Sequence, residues 1–183
     1  MFRAVFIDRD GTVSEEIGYM YHAGLYQPFP FAGPAIRKIN ESDMKAVLIT
    51  NQSGIGRGYF DASTVDEVHA ILKAELARHH AALDAIYICP HHPDDDCNCR
   101  KPNPGMLLRA KEDLDIDLTR SFMIGDKYVD IETAHNVGAT SILVRTGYGR
   151  EQLGKYRSNP KQPHFVVENL MEAVDGIISG AIR

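Results

Sequence analysis

Two carboxylates one residue apart, Asp8 and Asp10, close the apolar run Ala4-Val5-Phe6-Ile7 and are followed at once by Gly11. An uncharged run of this length reads as a strand buried on both faces. In open α/β sheets ligands bind beyond the carboxyl ends of the strands, which is where these acids stand. Side chains two apart on an extended segment share a side, so Asp8 and Asp10 are candidates to face one metal ion or one phosphorus atom. Gly11 permits the abrupt departure of the chain after them. An ordinary Asx turn has the same D-x-D-G pattern, so the pair needs partners elsewhere in the chain to mean catalysis.

Such partners stand at other strand ends. Ala46-Val47-Leu48-Ile49 runs into Thr50-Asn51-Gln52-Ser53-Gly54, where a hydroxyl and free amides make a cradle for a phosphate or an oxyanion. Phe122-Met123-Ile124 ends in Gly125-Asp126, with Asp130 four residues on. Ala85-Ile86-Tyr87-Ile88 leads directly into Cys89-Pro90-His91-His92, and Cys97-Asn98-Cys99 comes soon after.

All three cysteines of the chain fall in that cluster. An odd count, tightly grouped, suits thiolates on a metal better than a disulfide framework. Cys89, His91, Cys97 and Cys99 form a Cys₃His set for tetrahedral zinc, closed and therefore structural. His92 is the alternative nitrogen ligand, but Cys89 and His91 share a side of an extended segment more naturally. The acidic triplet Asp94-Asp95-Asp96 reads as a solvated loop tip. Arg100-Lys101 comes immediately after Cys99, so a rigid metal knot would hold two cations near the sheet's carboxyl edge. In a chain of net charge −5, cations placed there point to an anionic ligand.

The elements that must position these residues alternate along the chain. Pro34 fits the first turn of a helix burying Ile36 and Ile39. Ser63 or Thr64 is the expected cap of a second, with Val65, Val68, Leu72 and Leu76 at helical spacing. His69, His79 and His80, in or near that helix, read as solvated or capping residues. Asn103 with Pro104 opens a helix burying Leu107, Ala110 and Leu114. A short helix after Asp126 closes at Gly138. Ser141-Ile142-Leu143-Val144 and Phe165-Val166-Val167 read as a fifth and a sixth strand, residues 147–163 as a loop, and Asn169 as the start of a last helix. The expectation is an α/β fold: a doubly wound, Rossmann-like parallel sheet with helices on both faces, in a single domain over residues 1–183. Two irregular stretches stand out, an aromatic-rich loop at 13–31 and the metal loop at 89–101.

Composition excludes several functions. The acidic charge balance disfavours a nucleic-acid or anionic-membrane surface, and no apolar run approaches a membrane span. The first residues carry no signal-peptide pattern, so a cytoplasmic protein is expected.

Taken in order, DRDGT, LITNQ, the lone Lys101 and GDKYVD resemble the motifs of the haloacid dehalogenase-like phosphohydrolases, over residues 2–146. The segments TNQSGIGRGYF, CPHHP, CNCRKP and RKPNPGML resemble the zinc-bearing histidinol-phosphatase branch of that family. The zinc loop is shorter than usual and Gly24-Leu25-Tyr26-Gln27-Pro28 departs from the branch pattern. Both differences lie in substrate-facing loops.

The resemblance implies a phosphatase with no large cap domain. Catalysis falls to Asp8, Asp10, Thr50 and Lys101, with Asp8 as nucleophile and Asp10 as acid and base. Mg²⁺ is implied on Asp8, the backbone carbonyl of Asp10, and Asp126. Structural Zn²⁺ is implied on Cys89, His91, Cys97 and Cys99. Asp130 is expected to orient a ligand or Lys127. Glu16, Gly18, Tyr19, Asn51, Gln52, Ser53, Arg100 and Lys127 are implied in substrate binding. The implied partner is a small-molecule sugar phosphate, more narrowly a sugar bisphosphate, handled by a monomer without nucleic acid or membrane. Histidinol phosphate is the alternative substrate, and a receiver-like phospho-acceptor domain the less favoured alternative role.

Overall fold

The computed structural model describes residues 1–183. Six parallel strands form one sheet: β1 (Arg3–Ile7), β2 (Met44–Asn51), β3 (Ala85–Cys89), β4 (Phe122–Gly125), β5 (Thr140–Val144) and β6 (Phe165–Val167). Their order across the sheet is β3-β2-β1-β4-β5-β6. The chain winds outward from β1 through β2 to β3, then returns to the other side of β1 to lay down β4, β5 and β6. The topological switch therefore lies between β1 and β4, where Ile7 pairs with Ile124. At such a point the loops diverge to opposite faces and leave a crevice.

Helices α1 (Ala32–Asn40), α2 (Ser53–Gly56), α3 (Ala62–Arg78), α4 (Gly105–Leu114), α5 (Tyr128–Val137), α6 (Gly149–Lys155) and α7 (Leu170–Ser179) connect the strands. Alternation along β1 assigns the two faces. Val5 and Ile7 pack with residues of α1, α3 and α7, whereas Ala4 and Phe6 pack with Leu107 and Ala110 of α4 and Ala134 of α5. Fully burying a side chain of this size contributes roughly 1.5–3 kcal/mol, so a doubly covered central strand is a stiff platform for Asp8 and Asp10 at its end.

Local expectations meet several corrections. Helix α3 starts at Ala62 behind an extended Asp61 (φ −87°, ψ 164°), so Ser63 and Thr64 lie inside its first turn rather than capping it. Helix α4, by contrast, opens as expected, with Pro104 at its cap and Gly105 as its first residue. Residues 147–163 are not all loop: α6 forms there, tied down by Tyr156, whose ring stacks on Tyr128 at 4.6 Å. His69 is buried, at 6% exposure, which overturns its reading as a solvated residue. It sits four residues after Val65 and three before Leu72, on the face α3 turns to the core.

The loop at 13–31 folds back at the carboxyl end of β1. Asp10 bridges to Ser14, Ser14 bridges to Pro28, and a single 3₁₀ turn spans Ala23–Leu25. No helix is long and apolar enough to cross a membrane.

Candidate active site

Asp8 comes directly after β1 and stays in line with the sheet, its N–H donating to the Ile124 carbonyl at 2.9 Å. Asp126 comes directly after β4, across the switch point. Gly11 takes φ +85° and Gly147 φ +53°, and a Cβ on either would stand 2.2 Å from Asp126 Oδ2. Two glycines thus make the space that the Asp126 carboxylate fills. Its Oδ2 accepts the Tyr148 N–H at 2.8 Å, while Oδ1 is buried with no partner in the protein.

Asp8, Asp126 and Asp130 bring carboxylate oxygens within 4.8 Å of one another, all three buried. Burial, then the Asp8 charge, pushes the Asp126 carboxyl up to about 8. Burial raises Asp130 to about 6, with the Lys101 ammonium working the other way. An orphaned, buried carboxylate oxygen within a cluster of like charges fits a hard divalent cation with oxygen ligands.

Lys101 answers part of that charge. Its Nζ is buried and donates to Asp8 Oδ1 at 2.7 Å, Asp130 Oδ1 at 2.6 Å and the Ile49 carbonyl at 3.2 Å. Burial opposes its ammonium, but Asp130 and Asp8 outweigh that and raise its pKa. Asn51 fixes the backbone here in both directions: its amide nitrogen donates to the Lys101 carbonyl at 3.2 Å, and its oxygen accepts the Lys101 N–H at 3.1 Å. The Asn51 side chain is thereby committed to Lys101. Asp130 also accepts the Lys127 N–H at 3.1 Å through Oδ2.

Asp10 faces elsewhere. Its carboxylate is turned to the fork of Arg9, Nε to Oδ1 at 3.0 Å and Nη2 to Oδ2 at 2.9 Å, and Gln52 Nε2 donates to Oδ2 at 2.9 Å. The same Gln52 nitrogen donates to Thr50 Oγ1 at 2.8 Å, which leaves the Thr50 hydroxyl hydrogen free for a ligand. A forked, buried arginine between the two acids thus holds the Asp10 carboxylate, which also lines the cavity above the site.

A cavity of about 450 Å³ opens over this floor. Asp10, Glu16, Gly18, Tyr19, Asn51, Gln52, Ser53, Arg100, Lys101 and Lys127 all line it, with Phe60 and Tyr148, which sequence reasoning did not single out. Glu16 Oε2 takes the Lys127 ammonium at 2.5 Å and Oε1 takes the Gly18 N–H at 2.8 Å. Burial works against the Lys127 charge, but Asp8, Asp126 and Glu16 raise its pKa. Arg100 Nη1 and Arg57 Nε are buried without partners. Tyr148 and Phe60 were not visible in advance because each comes after a glycine-bearing turn whose direction only the fold decides.

The second cluster lies after β3. Cys89 Sγ stands 3.7 Å from Cys97 Sγ and 3.6 Å from His91 Nδ1, and His91 Nδ1 lies 3.2 Å from Cys99 Sγ. Tetrahedral zinc with bonds of about 2.3 Å to sulfur requires S···S of about 3.8 Å, so the donors fit that ion. The loop is stitched to the end of β2, Gln52 N–H to the Cys89 carbonyl and Gly56 N–H to the Pro90 carbonyl, both at 2.8 Å.

A parallel sheet with an acid beyond each of two adjacent strands, a buried lysine pairing one of them with Asp130 of the following helix, and a hydroxyl on a third strand defines a class, and the comparisons place the chain in it. The Hydrolase_like family model (HAD-hydrolase-like) matches residues 98–173. The D-glycero-D-manno-heptose-1,7-bisphosphate 7-phosphatase of Thermosynechococcus vestitus is 39% identical over 185 residues, 95% of this chain and 94% of that protein. The chain therefore belongs to the haloacid dehalogenase-like phosphatases, in the family of these relatives. The D-glycero-beta-D-manno-heptose-1,7-bisphosphate 7-phosphatase of Yersinia pestis is 43% identical over 153 residues, 79% of this chain and 81% of that one. The crystal structure of D,D-heptose 1.7-bisphosphate phosphatase from B. bronchiseptica, complexed with magnesium and phosphate, matches with a TM-score of 0.90. It is 33% identical and covers 97% of this chain and 99% of that one.

Proposed function

We propose that this protein is a Mg²⁺-dependent phosphoric monoester hydrolase that removes the 7-phosphate from D-glycero-D-manno-heptose 1,7-bisphosphate. The observation carrying the reading is the buried cluster of Asp8, Asp126 and Asp130, with Lys101 paired to Asp8 and Asp130, under a cavity rimmed by Arg100, Lys127 and Ser53. Relatives of nearly the same length, named for that activity, support the substrate.

In this account an Asp8 oxygen attacks phosphorus and forms an aspartyl-phosphate, which divides one difficult hydrolysis into two steps. Lys101 and the Thr50 hydroxyl hold phosphoryl oxygens as charge builds on them. Asp10 gives a proton to the departing sugar oxygen, then takes one from the water that attacks the acyl phosphate. Asp8, Asp126 and the Asp10 backbone carbonyl would hold Mg²⁺, which supplies charge neutralisation between carboxylate and phosphate. Cys89, His91, Cys97 and Cys99 would hold Zn²⁺, which fixes the loop carrying Arg100 and Lys101. The whole chain acts as one unit, its site walled by the loops at 13–31 and 89–101 rather than by a cap.

The partners of the rim residues favour a bisphosphate over histidinol phosphate. Ser53 is neutral and cannot pair with an ammonium. Glu16 is already paired with Lys127. Arg100 lines the cavity with its Nη1 unpartnered in the protein, which suits a second phosphate, a group arginine binds in bidentate fashion. Phosphate release with Mg²⁺ from the two substrates tests this. Heptose 1,7-bisphosphate should be favoured in kcat/KM by on the order of 10²-fold, with the sugar 1-phosphate as product. Equal efficiency, or a preference for histidinol phosphate, sinks the substrate assignment.

A further inference from the structure

Arg9 is 1% exposed, among the most deeply buried side chains of the protein, although it stands between two acids at the mouth of a site. Burying a guanidinium is costly unless its charge is paired and its N–H groups are satisfied. Here Nε and Nη2 fork onto both oxygens of Asp10, and Nη1 meets Nε2 of His69 at 3.4 Å. His69 lies on α3, sixty residues away, and is itself buried. Burial, then the Arg9 and Lys73 charges, lowers its pKa to about 4, so the ring is neutral at ordinary pH and offers Arg9 a lone pair. The Tyr26 ring closes the pocket, 5.8 Å from the guanidinium carbon. The nucleophile Asp8 has a different set of partners, Lys101 chief among them. Nothing else in the reaction scheme uses Arg9 or His69.

We propose that Arg9, braced from behind by His69, is a positioning residue that aims the Asp10 carboxyl group, which as the acid gives its proton to the leaving oxygen and as the carboxylate takes one from the attacking water. The inference rests on the phosphatase reading above. Lysine cannot reproduce the fork, because its ammonium is a single point charge. Removing His69 leaves the fork but frees its rear face, so the aim loosens rather than disappears. Gln52 holds only one Asp10 oxygen and cannot replace the fork.

Leaving groups distinguish aim from general damage. A sugar alkoxide needs a proton as it departs, whereas 4-nitrophenolate does not. The test measures kcat/KM with Mg²⁺ for phosphate monoesters running from 4-nitrophenyl through phenyl to alkyl and sugar phosphates, in wild type, Arg9→Lys, His69→Leu and His69→Gln. In Arg9→Lys the ratio of alkyl to nitrophenyl efficiency should fall by about 10²-fold, the lower end of what general acid catalysis contributes. In His69→Leu it should fall by roughly tenfold, with His69→Gln, which keeps an acceptor, recovering most of the loss. His69→Leu keeps the test decisive if Arg9→Lys does not fold. An equal loss across the whole series, or no loss in either position's variants, overturns the proposal while leaving the phosphatase reading intact. A wild-type protein inert toward every ester overturns both.

Discussion

Lys101 Nζ lies 2.7 Å from Asp8 Oδ1, joining the residue that leaves the central strand to one delivered by the metal loop. The ammonium is also 2.6 Å from Asp130 and is buried with both acids. Removing one partner of a buried ion pair leaves uncompensated charge and costs about 3–5 kcal/mol. Lys101→Ala should therefore lower kcat by about 10²–10³-fold, as loss of a transition-state donor does. It should also lower the melting temperature in a way that added Mg²⁺ partly restores, since a cation then answers the freed carboxylates. Thermal denaturation with and without Mg²⁺ checks it; a melting temperature unchanged from wild type contradicts the pairing.

The metal loop carries its own test. Purified protein should hold one zinc per chain, and Cys97→Ser should lose it, because thiolate ligation is what closes the tetrahedron. Loss should loosen Arg100 and Lys101 and the β2 end stitched to the loop, raising KM more than it changes the fold of the sheet. Metal analysis gives the stoichiometry, and hydrogen exchange at residues 89–101 and 50–58 reports the loosening. Zinc absent from protein purified without chelators removes the assignment.

Arg100 lines the cavity, and its Nη1 has no partner within the protein. Arg100→Ala should lower kcat/KM for heptose 1,7-bisphosphate by about 10–100-fold, the loss of one or two charge-assisted hydrogen bonds of about 1.5–3 kcal/mol. Monophosphates without a distal anion should change little. Steady-state kinetics on both substrate types decides, and equal losses would place Arg100 at the reacting phosphate instead.

His69 supplies a pH dependence of stability. Its pKa is about 4 in the fold against 6.5 unfolded, so the unfolded chain binds the proton first as pH falls. Stability from this group is therefore whole above pH 6.5, is lost as pH falls from 6.5 to 4, and changes no further below. The full loss is about 3 kcal/mol, at 1.36 kcal/mol per unit. Urea unfolding across that range should show the slope in wild type and a flatter one in His69→Leu. Identical slopes in the two proteins contradict a neutral, buried ring.

The strand ends were legible because a parallel sheet buried on both faces writes its strands as short apolar runs, and the catalytic residue types interrupt them abruptly. Asp8, Thr50 and Asp126 announce themselves that way, and the cysteine cluster does so by composition. Arg9 did not, since a cation between two acids reads as solvated loop until Tyr26 and His69 are folded around it. His69 was legible in principle, its position matching the buried face of α3, but a polar residue type masked the spacing. Helix α6 was hidden by its polar and glycine-bearing sequence; stacking of Tyr156 on Tyr128 holds it, and that contact is tertiary.

In the proposed reaction Asp8 carries the phosphoryl group between substrate and water, and every other role depends on that one. Acid quenching during turnover with heptose 1,7-bisphosphate labelled at the 7-phosphate, followed by borohydride reduction and peptide mass spectrometry, reads this directly. An acyl phosphate on an aspartate is reduced to homoserine. The account predicts homoserine at position 8, and none in Asp8→Asn, which should also be inactive. Homoserine at another acid, or an Asp8→Asn protein that still releases phosphate at the wild-type rate, would contradict it.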